Sequence, residues 1–393
     1  MKILYVSTHP HLNLSAPSGP GTHMREIIRG FQRQGHDVKT YIAGGEKLHN
    51  EQMQHIHFQK YAWKKWVPTL LWNTLKELKL ILHNRKMMVA MNQIIEDFQP
   101  DLIYERSYAF MDATAKVAMK KGIPICCEVN APYPEEVALM NGKGLFHWLA
   151  NSAEKNIARF AHRIIVVSSA MKSYFTNKYN LKEEKIIVTP NAVQMQFGEV
   201  NESTSLELKR HLGILDGDYV IGFVGSIFPY HGVDVLIDAY ARLINESDLK
   251  NTKLLIVGDG ESRESLEQSC DRMNIREHVI FTGNVEHNRV AAHISVMDVT
   301  VMAKSNWYGS PVKIFEYGIL GKFIIAPNTI PVHDVMIHSV HGYIVSKENE
   351  LLDALNFAIE NKSLAQKMAS TFQHKVIHEH SWDAMAKKIL DNA

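Results

Sequence analysis

The sequence of 393 residues contains only three cysteines, Cys126, Cys127 and Cys270. Three cysteines, two of them adjacent, supply neither a disulfide framework nor a paired-thiol metal motif, so a reducing compartment fits best. No stretch approaches the about 20 apolar residues of a membrane-spanning helix. The apolar run at the N-terminus is too short for a signal peptide. These absences predict a cytoplasmic protein.

An excess of charge of one sign is also missing, because 43 Lys and Arg residues nearly balance 42 Asp and Glu residues. The chain as a whole therefore gives no electrostatic case for a nucleic-acid partner.

Two patterns resemble metal motifs only loosely. His374, His378 and His380 have no placed carboxylate beside them, and the Asp-Gly-Asp sequence at 216–218 precedes a predicted strand, where Asp-Gly is typical of a turn. Neither pattern predicts a metal site.

The composition, with 46% apolar and 22% charged residues, is that of soluble globular proteins, and the length predicts two or three domains. Short apolar runs alternate with amphipathic segments in both halves. Strands are predicted at 2–7, 37–42, 101–105, 123–129, 163–167, 185–189, 219–224, 253–257, 278–281, 296–302 and 323–326. This alternation predicts an α/β fold with two doubly wound, Rossmann-like parallel sheets.

The predicted first domain spans residues 1–193 and the second spans residues 206–380, with a polar linker at 194–205. The C-terminal helix at 381–393 is expected to pack back on the first domain. In two such domains, ligands bind in a cleft at the carboxyl ends of the strands.

The segment 309–328 contains an informative cation, Lys313. The segment reads as a helix with Ser310 as N-cap and Pro311 at its first position, followed by a strand. A lysine in the first helical turn is disfavoured by the helix dipole, and a bound phosphate would offset that cost. Glu316 lies one turn later on the same face, where it could accept hydrogen bonds from sugar hydroxyls. A local Lys313–Glu316 ion pair on a solvated face is the alternative, and this stretch leaves both open.

Two more glycine loops join a predicted strand to a helix in the second half. One contains Gly225 and the other contains Gly258 and Gly260. Each loop alone is explained by a tight turn, but three loops at successive strand ends favour a phosphate-bearing ligand. In the first half, Gly19 and Gly21 follow the first strand in a glycine-rich loop. The full dinucleotide fingerprint is absent there, so the nucleotide signal of that loop is weak.

Residues 61–91 combine Trp63 and Trp66 with a leucine stripe at helical spacing and several lysines. A helix with these features is suited to the surface of an anionic bilayer. The same stripe is equally suited to packing on its own domain, with the lysines in solvent. The sequence leaves these two alternatives open.

The ordered motifs resemble the retaining GT-B glycosyltransferases of family 4, the large glycogen-synthase and mannosyltransferase-like group. The resemblance covers nearly the whole chain and is carried, in order, by segment 186–193, the loop at Gly225, segment 254–260 and segment 310–318. His36 at the end of the first helix and Ser381 at the start of the last helix fit the same family.

The resemblance implies transfer of a sugar from a nucleotide-sugar donor with retention of anomeric configuration, without a metal or other cofactor. The nucleotide would lie on the C-terminal domain and the acceptor mostly on the N-terminal domain. Lys313 would contact the diphosphate, Glu316 the ribose, and the loop 282–285 the base. The predicted donor-binding residues are Gly19, Gly21, Gly225, Ser226, Gly258, Gly260, Gly283, Asn284, Val285, Gly309, Ser310, Pro311, Lys313 and Glu316.

The chain departs from the family pattern at three positions. Ser226 replaces the common arginine, His231 replaces the common lysine, and Tyr308 replaces a first glutamate. His231 could assist Lys313 when it is protonated. On the N-terminal side, Glu128 or Asn130 could position the donor sugar, although Glu128 could instead cap a nearby helix. The predicted catalytic residues are Lys313, Glu316, Glu128, Asn130 and His231.

We therefore predict a transferase that uses UDP rather than GDP as the nucleotide and acts on a lipid-linked or polysaccharide acceptor in cell-surface or exopolysaccharide synthesis. It would work in the cytoplasm, peripherally at the inner face of the membrane through residues 61–91. The alternatives are a sugar-nucleotide epimerase or phosphorylase on the same scaffold, and a non-catalytic nucleotide-sugar-binding partner. A dehydrogenase is disfavoured because neither first glycine loop is a dinucleotide fingerprint.

Overall fold

The alternation of strands and helices produces two six-stranded parallel sheets, which confirms the predicted fold class. The computed structural model describes residues 1–16, 18–46, 68–246 and 251–393. Contacts divide the chain into unit 1, Met1–Thr189 with Met385–Ala393, and unit 2, Pro190–Ala384. Within the described residues, none of the helices combines the length and the apolar character needed to cross a bilayer.

Unit 1 contains a sheet with the strand order β2-β1-β3-β4-β5-β6. Its strands and helices are β1 Lys2–Ser7, α1 Gly19–Arg33, β2 Asp37–Ile42, α2 Thr69–Phe98, β3 Leu102–Arg106, α3 Ala113–Lys121, β4 Ile125–Val129, α4 Tyr133–Asn141, α5 His147–Phe160, β5 Arg163–Val166, α6 Ser169–Tyr179 and β6 Ile186–Val188. All residues of β3 and β4 are buried, as expected for strands covered by helices on both faces.

Unit 2 contains a sheet with the strand order β12-β11-β10-β7-β8-β9. Its elements are α7 Glu202–His211, β7 Tyr219–Val224, α8 Val233–Glu246, β8 Thr252–Val257, α9 Arg263–Arg272, β9 Val279–Phe281, α10 His287–Ser295, β10 Val299–Val301, α11 Val312–Ile319, β11 Phe323–Pro327, α12 Ile330–His333, β12 Tyr343–Val345, α13 Glu348–Glu360, α14 Lys362–Glu379 and α15 Trp382–Leu390. The residues of α15 from Met385 onward belong to unit 1.

The predicted glycine-rich loop after β1 is instead the first turn of α1. Ser18 is the N-cap, and its Oγ accepts a hydrogen bond from the N–H of Gly21 at 3.3 Å. Pro20 fits this turn because its fixed φ is helical and a missing N–H costs nothing there. A Cβ on Gly21 would lie 2.3 Å from the Ala16 carbonyl oxygen, so glycine is required by close backbone packing.

One other local prediction, the N-cap of α11, is wrong. Pro311, not Ser310, occupies the N-cap position of α11, and the Ser310 side chain turns to Asn191 instead. The predicted linker 194–205 contains a short 3-10 helix at Met195–Gly198 and the start of α7. Helix α7 escaped prediction because it is polar and buries only Leu208. The Asp-Gly-Asp sequence at 216–218 is a turn, as predicted.

Three glycines hold the strand ends of unit 2 close together. The N–H of Gly225 donates to Val257 O at 2.9 Å, and the N–H of Gly258 donates to Gly283 O at 3.1 Å. A Cβ on Gly258, whose φ is +134°, would lie 2.1 Å from the Gly225 carbonyl oxygen. Only glycine fits this approach, which fixes the loops after β7, β8 and β9 against one another.

We expect Gly258→Ala to lower the free energy of unfolding by at least about 3 kcal/mol, since strain in φ adds to a backbone overlap. Gly213 is the matched control in the same unit, because its φ is +70° and a Cβ there meets nothing within 4 Å. Gly213→Ala should cost only about 1 kcal/mol. Urea unfolding of both variants measures the difference, and equal losses would contradict the proposed overlap.

Candidate active site

The strand order of unit 2 creates a switch point between β7 and β10, because the chain proceeds from β7 in opposite directions across the sheet. Crevices at the carboxyl ends of strands flanking such a point are the usual ligand sites of open α/β sheets. The Gly225 loop follows β7, and the segment that leads into α11 follows β10. The topology therefore brings α11 and its Lys313 to the Gly225 loop.

Lys313 lies against this loop. A Cβ on Gly225 would be 2.5 Å from Lys313 Nζ, so the ammonium occupies the space that a side chain would fill. Nζ also lies 4.4 Å from the centre of the Phe223 ring, a cation–π contact. Burial lowers the pKa of Lys313 to about 8, an effect that Glu316 partly offsets. The lysine is charged at neutral pH but loses its proton more easily than an exposed lysine.

Glu316 is half-buried on the same helix. Burial raises its pKa to about 7, and Lys313 partly offsets that rise. Among the described residues, no carboxylate lies within 4.0 Å of Lys313 Nζ, so the structure does not contain the local ion pair considered from the sequence. The two side chains feel each other's charge without direct contact, which leaves the ammonium and the carboxylate able to bind separate parts of one ligand.

Helix α11 is fixed by hydrogen bonds at both of its ends and by close packing along its length. The N–H of Val224 donates to the buried Tyr317 hydroxyl at 2.9 Å, which ties the helix to the end of β7. Asn191 donates from its N–H to Ser310 Oγ at 2.9 Å and from Nδ2 to Ser310 O at 2.8 Å. A Cβ on Gly318 would meet Phe372 at 2.7 Å, so α11 packs closely on α14. Lys313 and Glu316 therefore stand on a rigid element.

His231 lies in the same loop region as Ser226. Its Nδ1 lies within hydrogen-bonding distance of the Ser226 carbonyl oxygen. A carbonyl can only accept, so Nδ1 carries the proton and Nε2 of the neutral ring is an acceptor. Burial and then the charge of Lys313 lower the pKa of His231. The imidazole is consequently neutral at pH 7 in the free protein, and it could act as a cation only after a ligand anion favours its protonation.

The remaining predicted donor residues are spread over two loops. Gly260 packs against the Ile227 carbonyl, and Gly283 is buried beside Arg263. Asn284 is exposed, and Val285 packs on the core of unit 2. Arg263, which sequence reasoning did not select, pairs with Asp259 at 3.3 Å and with Glu267 at 3.0 Å. It begins α9 directly after the loop of Gly258 and Gly260, but a lone arginine there gave no signal of its own.

The segment before α11 is held by an asparagine. Asn306 Oδ1 accepts hydrogen bonds from the N–H groups of Tyr308, at 3.2 Å, and Gly309. Trp307 is half-exposed and packs edge-on against Tyr308, with ring centres 5.3 Å apart. Tyr308, where the family resemblance implies a glutamate, thus forms an aromatic pair with Trp307.

In unit 1, Glu128 at the end of β4 is buried and bound by four side chains. Its carboxylate accepts hydrogen bonds from the Tyr104 hydroxyl at 2.8 Å, from Asn130 Nδ2 and from Arg106, and His23 Nε2 lies 3.0 Å away. Burial alone would raise the pKa of Glu128, but His23 and Arg106 outweigh it and hold that pKa well below its usual range. Glu128 is therefore a permanent anion that orients its neighbours, and it does not cap a helix.

Sequence reasoning missed His23 and Arg106 because they come from α1 and β3, distant in the chain from Glu128. Charged residues at the end of a predicted buried strand were the only sequence feature that could have indicated this cluster. Asn130 keeps its Oδ1 for other partners, since only its Nδ2 is used by Glu128. Gly19 and Gly21 lie in the same unit, at the start of α1.

Comparisons with known proteins show which families the two halves of this chain match. Residues 205–375 match the family model for group 1 glycosyl transferases, and residues 17–197 match the model for glycosyltransferase family 4. An uncharacterized glycosyltransferase of Methanocaldococcus jannaschii is 23% identical, but the match spans 58% of this chain and only 59% of that protein. The alpha-monoglucosyldiacylglycerol synthase of Streptococcus pneumoniae is 21% identical over 94% of this chain and 83% of its own.

Among solved structures, Anabaena HepE in complex with UDP superimposes with a TM-score of 0.72 over 100% of this chain and 99% of that chain, at 17% identity. At this identity the likeness speaks for the fold alone. The fold is GT-B, with two Rossmann-like units.

Proposed function

This chain belongs to the group 1 glycosyltransferases of family 4, and from that premise we propose that it transfers a sugar from a nucleoside diphosphate donor to a lipid-linked or polysaccharide acceptor with retention of configuration. The nucleotide is UDP rather than GDP. One observation carries the proposal. At the switch point of unit 2, Lys313 Nζ occupies the space that a side chain at position 225 would fill. The choice of UDP follows the nucleotide bound by HepE, a protein with the same fold.

In this proposal Lys313 and the start of α11 bind the diphosphate, and Glu316 accepts hydrogen bonds from the ribose hydroxyls. Charge builds on the diphosphate as the glycosidic bond breaks, and a fixed ammonium stabilises that charge without reorganisation. The acceptor hydroxyl attacks the anomeric carbon on the face that the diphosphate leaves, and its proton passes to a departing phosphate oxygen. A double displacement would need a free carboxylate, and Glu128 is already bound by four side chains. With Lys313 as the cation, the reaction needs no metal.

Incubation with a UDP-sugar, followed by proton NMR with and without acceptor, tests this proposal. A transferase should give slow hydrolysis alone and an α-linked product with an acceptor. Interconversion of the sugar without acceptor would instead identify an epimerase. Nucleotide binding with no turnover on any acceptor would identify a non-catalytic partner, in which the replacements Ser226, His231 and Tyr308 have removed activity.

The pH dependence of kcat/KM for the donor should be bell-shaped. Glu316, with a pKa of about 7, must be ionised to accept hydrogen bonds, so activity falls as pH drops below that value. Lys313, with a pKa of about 8, must be protonated, so activity also falls as pH rises above it. Lys313→Arg should remove the basic limb while retaining a fraction of the activity. A profile that is flat from about pH 6 to about pH 9 would contradict these roles.

We further propose that unit 1 contacts an anionic membrane through α2. Leu71, Leu75, Leu78, Leu82 and Val89 form a stripe at helical spacing, and each is between 41% and 72% exposed. The exposed Lys76, Lys79 and Lys86 lie beside this leucine stripe. An apolar stripe that is exposed in the described part of unit 1 and lies beside cations suits the headgroup region of anionic lipids. Trp63 and Trp66, which the sequence places before this helix, lie outside the described residues.

Sedimentation with vesicles tests this contact. Wild-type protein should bind phosphatidylcholine vesicles that contain phosphatidylglycerol and should bind weakly to phosphatidylcholine alone. Leu75→Ser/Leu78→Ser should weaken binding at least about tenfold, because two leucines leave the bilayer. The matched control is Leu206→Ser/Leu364→Ser, which changes two leucines of unit 2 that are 43% and 45% exposed. Equal losses in the two variants would contradict a docking face on α2.

A further inference from the structure

A cavity lies entirely within unit 1, with a volume of about 660 Å³. It lies between α2 and α4, and we call it the α2–α4 groove. Pro10, His11 and Tyr108 belong to its lining, and they come from the loops that follow β1 and β3. In the strand order of unit 1 these neighbouring strands flank the switch point, so the groove opens where this sheet is expected to bind a ligand.

The wall of the groove is apolar. Leu80, Phe110 and Val137 line it and belong to a cluster of packed apolar side chains around Phe110. The volume is that of an ordinary small-molecule site. Such a wall suits a hydrocarbon chain, since neither a free phosphate nor a polar glycan gains from contact with it.

The wall is also fixed in place by hydrogen bonds between α2 and the segment after α4. Glu77 accepts the N–H of Gly144 on one oxygen and the N–H of Phe146 on the other, each at 2.8 Å. Asn73 Nδ2 donates to Asn141 O. A Cβ on Gly144 would lie 2.3 Å from Glu77, so the two segments are in close contact. The groove is therefore already formed in the free protein.

The charge of the groove is positive. Lys79 and Lys86 line it from one face of α2, two helical turns apart, with His83 between them. Among the described residues that line it, Glu77 is the only acid, and both of its oxygens are occupied. An anion between the two lysines would meet two ammonium groups against the single carboxylate of Glu77, and phosphate is well matched to ammonium groups.

Leu82 links the groove to the surface, because it lines the groove and also belongs to the leucine stripe of α2. A lipid could therefore extend from a bilayer along α2 into the groove without its chain crossing a polar surface.

We propose that the α2–α4 groove binds the lipid phosphate of the acceptor. The hydrocarbon chain lies along Leu80, Phe110 and Val137, and the phosphate or diphosphate lies between Lys79 and Lys86. The sugar attached to that phosphate then reaches the carboxyl edge of the unit 1 sheet. This inference rests on the proposed transferase activity, for which it specifies the acceptor as a phosphate-linked lipid.

Calorimetry with soluble probes tests it, with UDP in excess to occupy the site of unit 2. Farnesyl diphosphate should bind at least about tenfold more tightly than farnesol and than inorganic diphosphate, since only it offers both chain and charge. Lys79→Gln/Lys86→Gln should remove that advantage and leave farnesol binding unchanged. Arg85→Gln/Lys120→Gln is the matched control, which removes two exposed charges outside the groove. It should change the affinity for farnesyl diphosphate less than about twofold.

A second variant tests the apolar wall. Val137→Asn should weaken both farnesol and farnesyl diphosphate and leave inorganic diphosphate unaffected, because the amide is polar but carries no charge. Equal affinity for farnesyl diphosphate and farnesol, or an equal loss in the control pair, would overturn the inference. Because probe binding requires no turnover, transfer without probe binding rejects the groove alone, and probe binding without transfer rejects the proposed activity alone.

Discussion

Lys313→Ala is expected to lower kcat about 100- to 1000-fold, the usual loss when one fixed stabiliser of developing charge is removed. The affinity for UDP should fall much less than kcat, because the lysine matters most when charge builds on the departing diphosphate. His231 is a poor substitute for it, since burial, the larger cause of its lowered pKa, persists when the lysine is removed. Steady-state kinetics with a UDP-sugar, together with UDP binding by calorimetry, separates the two effects.

The fold should survive this substitution. Below about pH 8 the lysine is charged in both the folded and the unfolded protein, and burial of that charge lowers the free energy of unfolding. The alanine variant should therefore unfold at an equal or higher temperature than wild type. Lys367→Ala, an exposed lysine on α14, is the matched control and should leave kcat unchanged. A Lys313→Ala variant with wild-type kcat would remove the lysine from the mechanism.

Glu316→Ala is expected to weaken donor binding about 100-fold. Two hydrogen bonds from ribose hydroxyls to a carboxylate are lost, and each contributes about 1.5 kcal/mol or more. The effect should appear as a raised KM for the donor and a matching rise in the Kd of UDP. UMP and UDP should lose similar binding free energy, because both contain the ribose. Calorimetry with both nucleotides measures this.

Glu316→Gln refines the same test, because the amide keeps the shape and one acceptor oxygen and should lose less affinity than alanine. Glu207→Ala, on the exposed side of α7, should bind UDP like wild type. Weaker UMP binding by Lys313→Ala than by Glu316→Ala would reverse the assignment of the two residues.

The sequence was informative where hydrophobic pattern and glycine chemistry point to one structure. Buried strands such as β1 and β7 were predicted with their observed bounds, since apolar runs between turn signals have few alternatives. The approach of Lys313 to the Gly225 loop followed from strand order and was expected from the motif positions. That the ammonium occupies the place of a side chain at Gly225 required coordinates.

Elements without a distinct pattern were missed. Helix α4 begins at a Tyr-Pro sequence, and its exposed Leu139 and Met140 give it no clear apolar face. The partners of Glu128 were missed for a different reason. His23, Tyr104 and Arg106 come from two other elements, and a single sequence does not show which distant side chains meet. The α2–α4 groove likewise depends on four separated segments.

Thermal unfolding with nucleotides tests the central claim most directly. A ligand that binds only the folded protein raises its melting temperature, and UDP at about 100 times its Kd would add about 2.7 kcal/mol, a shift of several degrees. UDP and a UDP-sugar should raise the melting temperature of wild type and the Lys367→Ala control, GDP should do so less, and Glu316→Ala should show little response. No shift with any nucleoside diphosphate, or an equal shift in Glu316→Ala, would contradict a donor site on α11.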